Sequence, residues 1–214
     1  MVSKLSNLIA DQLISMGRFK EADRAVYQFG LEMLLLNIFN ILTAALIGAA
    51  MGQILESFLF LALFIPLRCH AGGYHAGNPL LCYFMSNAVI VFVLLLLRTP
   101  PEMVERGAGL VFLILSSCMA AFLAPVENLN KPLDEVEKKV YGIRTRIVLA
   151  IEVLIGLVCY AAACFQGVWI VIVTIVLMVI TEILGLLQNT YTRSRTPEKT
   201  GGYSKEAGDR GRYL

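Results

Sequence analysis

The sequence predicts an all-α polytopic integral membrane protein, with about six transmembrane helices and an N-terminal amphipathic helix at the membrane interface. Three observations carry that prediction. Of the 214 residues, 57% are hydrophobic and 16% charged, at a mean hydropathy of +0.71. A soluble domain carries about 25% charged residues, so too few polar side chains remain here to coat a globule. Apolar runs recur at near-bilayer length, and positive charge collects on alternate connections. The same numbers exclude a disordered chain and an ordinary cytosolic enzyme. A formal net charge of +2 excludes nucleic-acid binding as the main activity. The length fits one compact unit: residues 1–192 form a single membrane-embedded domain, followed by a flexible polar tail at 193–214.

Within residues 3–17, Leu5, Leu8, Ile9, Leu13 and Met16 recur at helical spacing, with Lys4, Asp11 and Gln12 mostly opposite. This predicts a helix lying in the inner interface, either as a simple anchor or as a docking surface for an amphipathic substrate. The first 28 residues lack the charged start and short apolar core of a cleavable signal peptide. Six spans follow at about 31–51, 54–67, 79–97, 107–125, 147–165 and 168–187, against the roughly 20 residues that cross a bilayer. The second is short, so it crosses steeply in a thinned bilayer or re-enters. With the N-terminus in the cytoplasm, the inner segments 1–30, 68–78, 126–146 and 188–214 hold every Lys and Arg except Arg98 and Arg106. That is the positive-inside pattern, and it places both termini in the cytoplasm.

The stretch 66–83 reads Pro-Leu-Arg-Cys-His-Ala-Gly-Gly-Tyr-His-Ala-Gly-Asn-Pro-Leu-Leu-Cys-Tyr and holds both histidines of the protein. Three glycines and a proline within eight residues require a tight turn and close approach to other groups. Asn78 is a favoured N-cap and Pro79 fits the first helical position. Cys82 then lies in the first turn of the third span, where free N–H groups favour a thiolate. His75 precedes the cap and can fold back over that turn, forming a nucleophilic Cys–His dyad. The residues alone leave two other readings open. Cys69, His70, His75 and Cys82 form a possible metal set, although this is not a familiar zinc spacing. A structural loop with incidental histidines is the other. Arg68 is either a positive-inside anchor or a donor to a carboxylate or peptide carbonyl near the dyad. Glu32 begins the first span, within reach of a pairing with Arg68. Glu152 and Glu182 fall inside spans, where a carboxylate is costly unless paired or hydrated. The five cysteines are odd in number and mostly lie in apolar runs, which argues against a disulfide framework. Cys118, Cys159 and Cys164 are read as packing residues.

Arg68, Gly73, His75 and Cys82, in a loop entering a span, resemble the signature of the AgrB family. These are membrane cysteine endopeptidases that mature autoinducing peptides for quorum sensing in Gram-positive bacteria. The His-x6-Cys interval matches, as do the Arg seven residues before the His and the Gly two before it. Glu32 stands where the family tends to carry a functional acid. Asn130-Lys131-Pro132-Leu133, preceded by Ala124-Pro125, looks like the family's cytoplasmic loop. The resemblance covers roughly residues 1–190. Pro79 interrupts the His–Cys interval.

What the resemblance implies is a catalytic pair, His75 and Cys82, with substrate-binding or transition-state support from Arg68, Gly73 and Glu32. It implies a protein of the bacterial cytoplasmic membrane, acting without metal or cofactor on a short amphipathic precursor peptide of the AgrD type. Cleavage runs through a thioester on Cys82, and an internal thiol or hydroxyl of the precursor then closes a thiolactone or lactone. N–H groups of the Gly-rich loop, or Arg68, are the expected oxyanion donors. Partners are the lipid bilayer and a second copy in a homodimer, with no nucleic acid. The rival from another class is a small transporter or peptide exporter, with Glu152 and Glu182 along a polar path and the 68–82 loop as a gate.

Overall fold

A computed structural model describes residues 2–16, 24–74, 78–100, 102–105, 107–127 and 133–195. The elements are α1 (Val2–Ser15), α2 (Arg24–Ala50), α3 (Ile54–Ala71), α4 (Pro79–Leu97), α5 (Glu102–Glu105), α6 (Ala108–Leu123), α7 (Glu135–Ala161) and α8 (Phe165–Arg195). No strand occurs among the described residues, and one isolated parallel bridge joins Gly72 to Val126. The all-α prediction therefore holds.

Four segments are long and apolar enough to cross a membrane: Gly30–Ala50, Ile54–Ala71, Leu80–Leu97 and Phe165–Thr192. The expected six are thus four of full length plus two that fall short for different reasons. Helix α6 has 16 residues. Helix α7 is 27 residues long, but its apolar part starts only after Arg146. The second span is not the short piece the sequence predicts. Helix α3 continues through Pro66 to Ala71, 18 residues in all. A proline removes one backbone donor, and a packed span tolerates that because its neighbours re-satisfy the freed groups. The helix that carries the fifth span, α7, also starts earlier than the expected span. The Asp134 side chain accepts from Glu137 N, and the Glu137 side chain accepts from Asp134 N, a capping box that starts α7 at Glu135.

Helix α1 packs along α2, and Arg24 forms an ion pair with Asp11. Leu8 on it and Met16 just beyond its end remain exposed, as an interfacial helix requires. Exposed apolar side chains such as Leu42, Leu46, Phe92 and Phe122 cover the outside of the bundle, which suits a lipid solvent.

The interior is organised around α8. One core cluster joins Leu67 and Ala71 of α3, Leu113 and Ala120 of α6, Leu149 of α7, and Val168, Ile172 and Met178 of α8. The second joins Ala44 of α2, Phe60 of α3, Leu94 of α4 and Ile170 of α8. Helix α8 feeds both clusters, so it is the post against which the others pack. At one end its start is fastened to α4, with Gln166 Nε2 donating to Leu97 O (2.6 Å) and Trp169 Nε1 to Leu96 O (2.9 Å). The other end carries the loops between α3 and α4 and between α6 and α7, described next. The tail beyond Arg195 and the Asn130-Lys131-Pro132 stretch lie outside the described residues.

Candidate active site

Helix α3 ends where Gly72 turns back, with its N–H on Arg68 O (3.3 Å). Gly72 and Gly73 have φ of +78° and +109°, values that favour glycine because an added Cβ would be strained. Arg68 then holds the turn from below. Its Nη1 donates to Gly72 O and its Nη2 to Tyr74 O. A planar guanidinium can grip two carbonyls at once in this way. The expected anchor role is therefore not the whole story, since the head group turns inward onto the loop.

Three distant pieces of chain meet at this turn. Val126 N donates to Ala71 O (2.8 Å), Gly73 N to Val126 O (3.4 Å), and Tyr74 N to Thr181 O of α8 (2.8 Å). The contacts are backbone to backbone. A Cβ on Gly73 would strike the Arg68 guanidinium and stand 2.8 Å from Thr181 O, and one on Gly185 would stand 2.7 Å from Gly73 C. Real Cβ atoms do not come that close, so Gly185 is what lets the loop touch α8. Asn189 Nδ2 donates to Glu127 O (2.8 Å), fastening the second loop one turn further along.

Helix α4 opens as the sequence predicts. Asn78 is its N-cap, its side chain accepts from Leu80 N (2.9 Å), and Pro79 occupies the first turn. Cys82 N bonds to Asn78 O (3.0 Å), which seats the half-buried Cys82 in that turn. Thr43 and Tyr83 share a hydrogen bond (2.7 Å) that ties α2 to α4 beside it. The Cys82 thiol and the Glu182 carboxyl are both within electrostatic reach of Arg68. Glu182 is fully buried, and neither oxygen has a hydrogen-bond partner among the described residues.

Of the residues singled out in the sequence, Arg68, Gly73 and Cys82 are thus brought to one end of the bundle. His75 lies outside the described residues, between the fixed points Tyr74 and Asn78. No pairing of Glu32 with Arg68 is formed among the described residues; the Arg68 donors go to the loop carbonyls, with Glu182 within electrostatic reach. The N–H groups of Gly73 and Tyr74, expected as oxyanion donors, are taken by Val126 and Thr181. Cys69 is exposed and His70 tilts against Tyr141 of α7 at 6.2 Å between ring centroids. No group of three or more His, Cys, Asp or Glu is gathered for a metal among the described residues. Glu152 is buried on α7 without a hydrogen-bond partner among the described residues. Thr181, Gly185 and Val126 were missed by sequence reasoning. Only the glycine inside an apolar run was a visible signal, and a lone glycine names no partner.

Fold and site define a polytopic helical membrane protein in which two loops close over one end of a central helix. The chain belongs to the AgrB family, accessory gene regulator B, whose pattern matches residues 4–187. It is similar to an AgrB-like protein of Clostridium perfringens (strain 13), 23% identical over 145 residues, 65% of this chain and 67% of the relative. A second such protein, from Clostridium perfringens (strain SM101), is 24% identical over 144 residues with the same coverage. One from Listeria welshimeri is 29% identical over 100 residues, covering 46% of this chain and 49% of that relative. No solved structure matches the chain.

Proposed function

We propose that this member of the accessory gene regulator system is a membrane cysteine endopeptidase. It cuts the C-terminal part from a short amphipathic precursor peptide of the AgrD type and promotes closure of a thiolactone or lactone ring for quorum sensing. The observation that carries the reading is the seat of Cys82, half-buried in the first turn of a capped helix and within electrostatic reach of an arginine that is itself held by the adjacent loop.

In this reading His75 takes the thiol proton and Cys82 Sγ attacks a precursor carbonyl carbon. Donors for the oxyanion are the N–H groups of Arg68 not used on the loop and the first-turn N–H of Leu81. Collapse breaks the C–N bond, His75 protonates the leaving amine, and the precursor's N-terminal part stays as a thioester on Cys82. An internal thiol or hydroxyl then displaces Cys82 and closes the ring, favoured over water by proximity. Gly73 supports the site by letting Arg68 and Thr181 approach. Glu32 is assigned to precursor binding, away from Arg68. The protein works in the bacterial cytoplasmic membrane as a homodimer, with both termini and the site on the cytoplasmic face.

Co-expression with the candidate precursor, followed by mass spectrometry of peptides, tests this. Wild type yields a truncated or cyclised product that disappears in Cys82→Ala and in His75→Ala, both inserted at normal levels. Unchanged processing in Cys82→Ala sinks the peptidase reading and returns weight to a transport path along Glu152 and Glu182.

A further inference from the structure

At the end of the bundle opposite the site, α7 stops and α8 begins within four residues. The stop is a Schellman motif: Cys164 N donates to Cys159 O (2.8 Å) and Ala163 N to Tyr160 O (3.0 Å), with Ala163 at φ +54°. That motif brings the side chains at its first and last positions together, usually as an apolar contact. Here both positions are cysteine. The Cys159 and Cys164 side chains lie within electrostatic reach of each other. Both sulfurs also crowd Gly167, where an added Cβ would stand 2.8 Å from Cys159 Sγ and 3.4 Å from Cys164 Sγ. A larger residue at Gly167 would force Cys159 Sγ to shift.

We propose that Cys159 and Cys164 are a redox-active dithiol that closes to an intramolecular disulfide across the α7–α8 turn. The backbone keeps the two Cα atoms within the range a disulfide needs. A 2.8 Å bond from Cys164 N to Cys159 O limits the two Cα atoms to at most about 6.7 Å, given N–Cα of about 1.46 Å and Cα···O of about 2.4 Å. Disulfides span about 4.4–6.8 Å between Cα atoms. The oxidant is a small-molecule disulfide. Exposed Cys164 loses its proton and its sulfur attacks one sulfur of the oxidant, expelling one small thiolate. Cys159 Sγ, after losing its proton, then attacks Cys164 Sγ and expels the second. One S–S bond breaks and one forms; the two protein thiols are oxidised and two small thiols are made. In the orientation proposed above the turn lies on the outer face, the side on which disulfides persist. The pairing itself does not depend on that orientation or on the peptidase reading.

Trypsin isolates the pair, since no Lys or Arg lies between Arg146 and Arg193 and the fragment 147–193 contains no other cysteine. The full-length protein in detergent is equilibrated with graded mixtures of reduced and oxidised glutathione, acid-quenched, unfolded, labelled with N-ethylmaleimide and digested. The wild-type fragment is expected to pass from two labels to none, two hydrogens lighter and free of glutathione, in mixtures where Cys69 and Cys118 still take their labels. In Cys159→Ser, Cys164 should instead retain a glutathione adduct. Two labels persisting across the whole range, or glutathione on both cysteines of the wild type, overturns the proposal.

Discussion

Arg68 shows how much of the site rests on the shape of one side chain. Its two donors reach Gly72 O and Tyr74 O, and a lysine, with a single nitrogen, cannot bridge two carbonyls in a fixed plane. Loss of one charge-assisted hydrogen bond costs about 1.5–3 kcal/mol, which corresponds to roughly a 10- to 100-fold fall in rate if the loop must be held for turnover. Arg68→Lys is therefore expected to insert with normal helicity and to process precursor at least about 10-fold more slowly. A rate close to wild type would show that the charge matters and the grip does not. The start of α4 was legible at this scale because an N-cap and a proline act on their own neighbours: Asn78 and Pro79 were enough. The acid within electrostatic reach of Arg68 was not, because Glu182 is more than a hundred residues away and nothing local distinguishes it from Glu32.

Among the elements, α8 carries the widest responsibility. It contributes to both core clusters and offers Thr181 O to the loop that leads to His75. Gly185→Ala is the sharpest probe, since the new methyl carbon would meet Gly73 C at 2.7 Å and Tyr74 N at 2.8 Å. Backbone cannot yield as a flexible side chain can. The expected outcome is a lower melting temperature together with loss of processing. Normal processing would show that the loop need not rest on α8. Periodicity and hydropathy gave the helices and left their ends uncertain. Helix α3 outran its expected stop because Pro66 does not end a helix whose neighbours compensate. Helix α7 began early because a capping box outweighed the charges around it.

Across the whole molecule, alternate connections lie at opposite ends, with the loop approach at one end and the Cys159–Cys164 turn at the other. In the orientation proposed above, which follows the distribution of Lys and Arg, the loop end faces the cytoplasm. After reduction of intact cells, a membrane-impermeant maleimide should label Cys164 and should reach Cys69 only after permeabilisation, both being exposed in the fold. The reverse pattern would invert the orientation. Charge bias and apolar runs made the membrane class legible, and the spacing of Arg68, Gly73, His75 and Cys82 made the family so. The span count was less so, because α6 and the apolar part of α7 are shorter than a bilayer is thick.

The hydrogen bond from Tyr74 to Thr181 also has a consequence in time. Residues 75 and 82 leave the ribosome about a hundred residues ahead of Thr181, which at about 5–20 residues per second is a delay of roughly 5–20 s. Throughout that interval the nascent chain carries a histidine and a thiol but no ledge on which their loop can rest. If Cys82 is the proposed nucleophile, a chain that stalls before α8 lacks the support of its loop, and processing waits until synthesis is nearly finished.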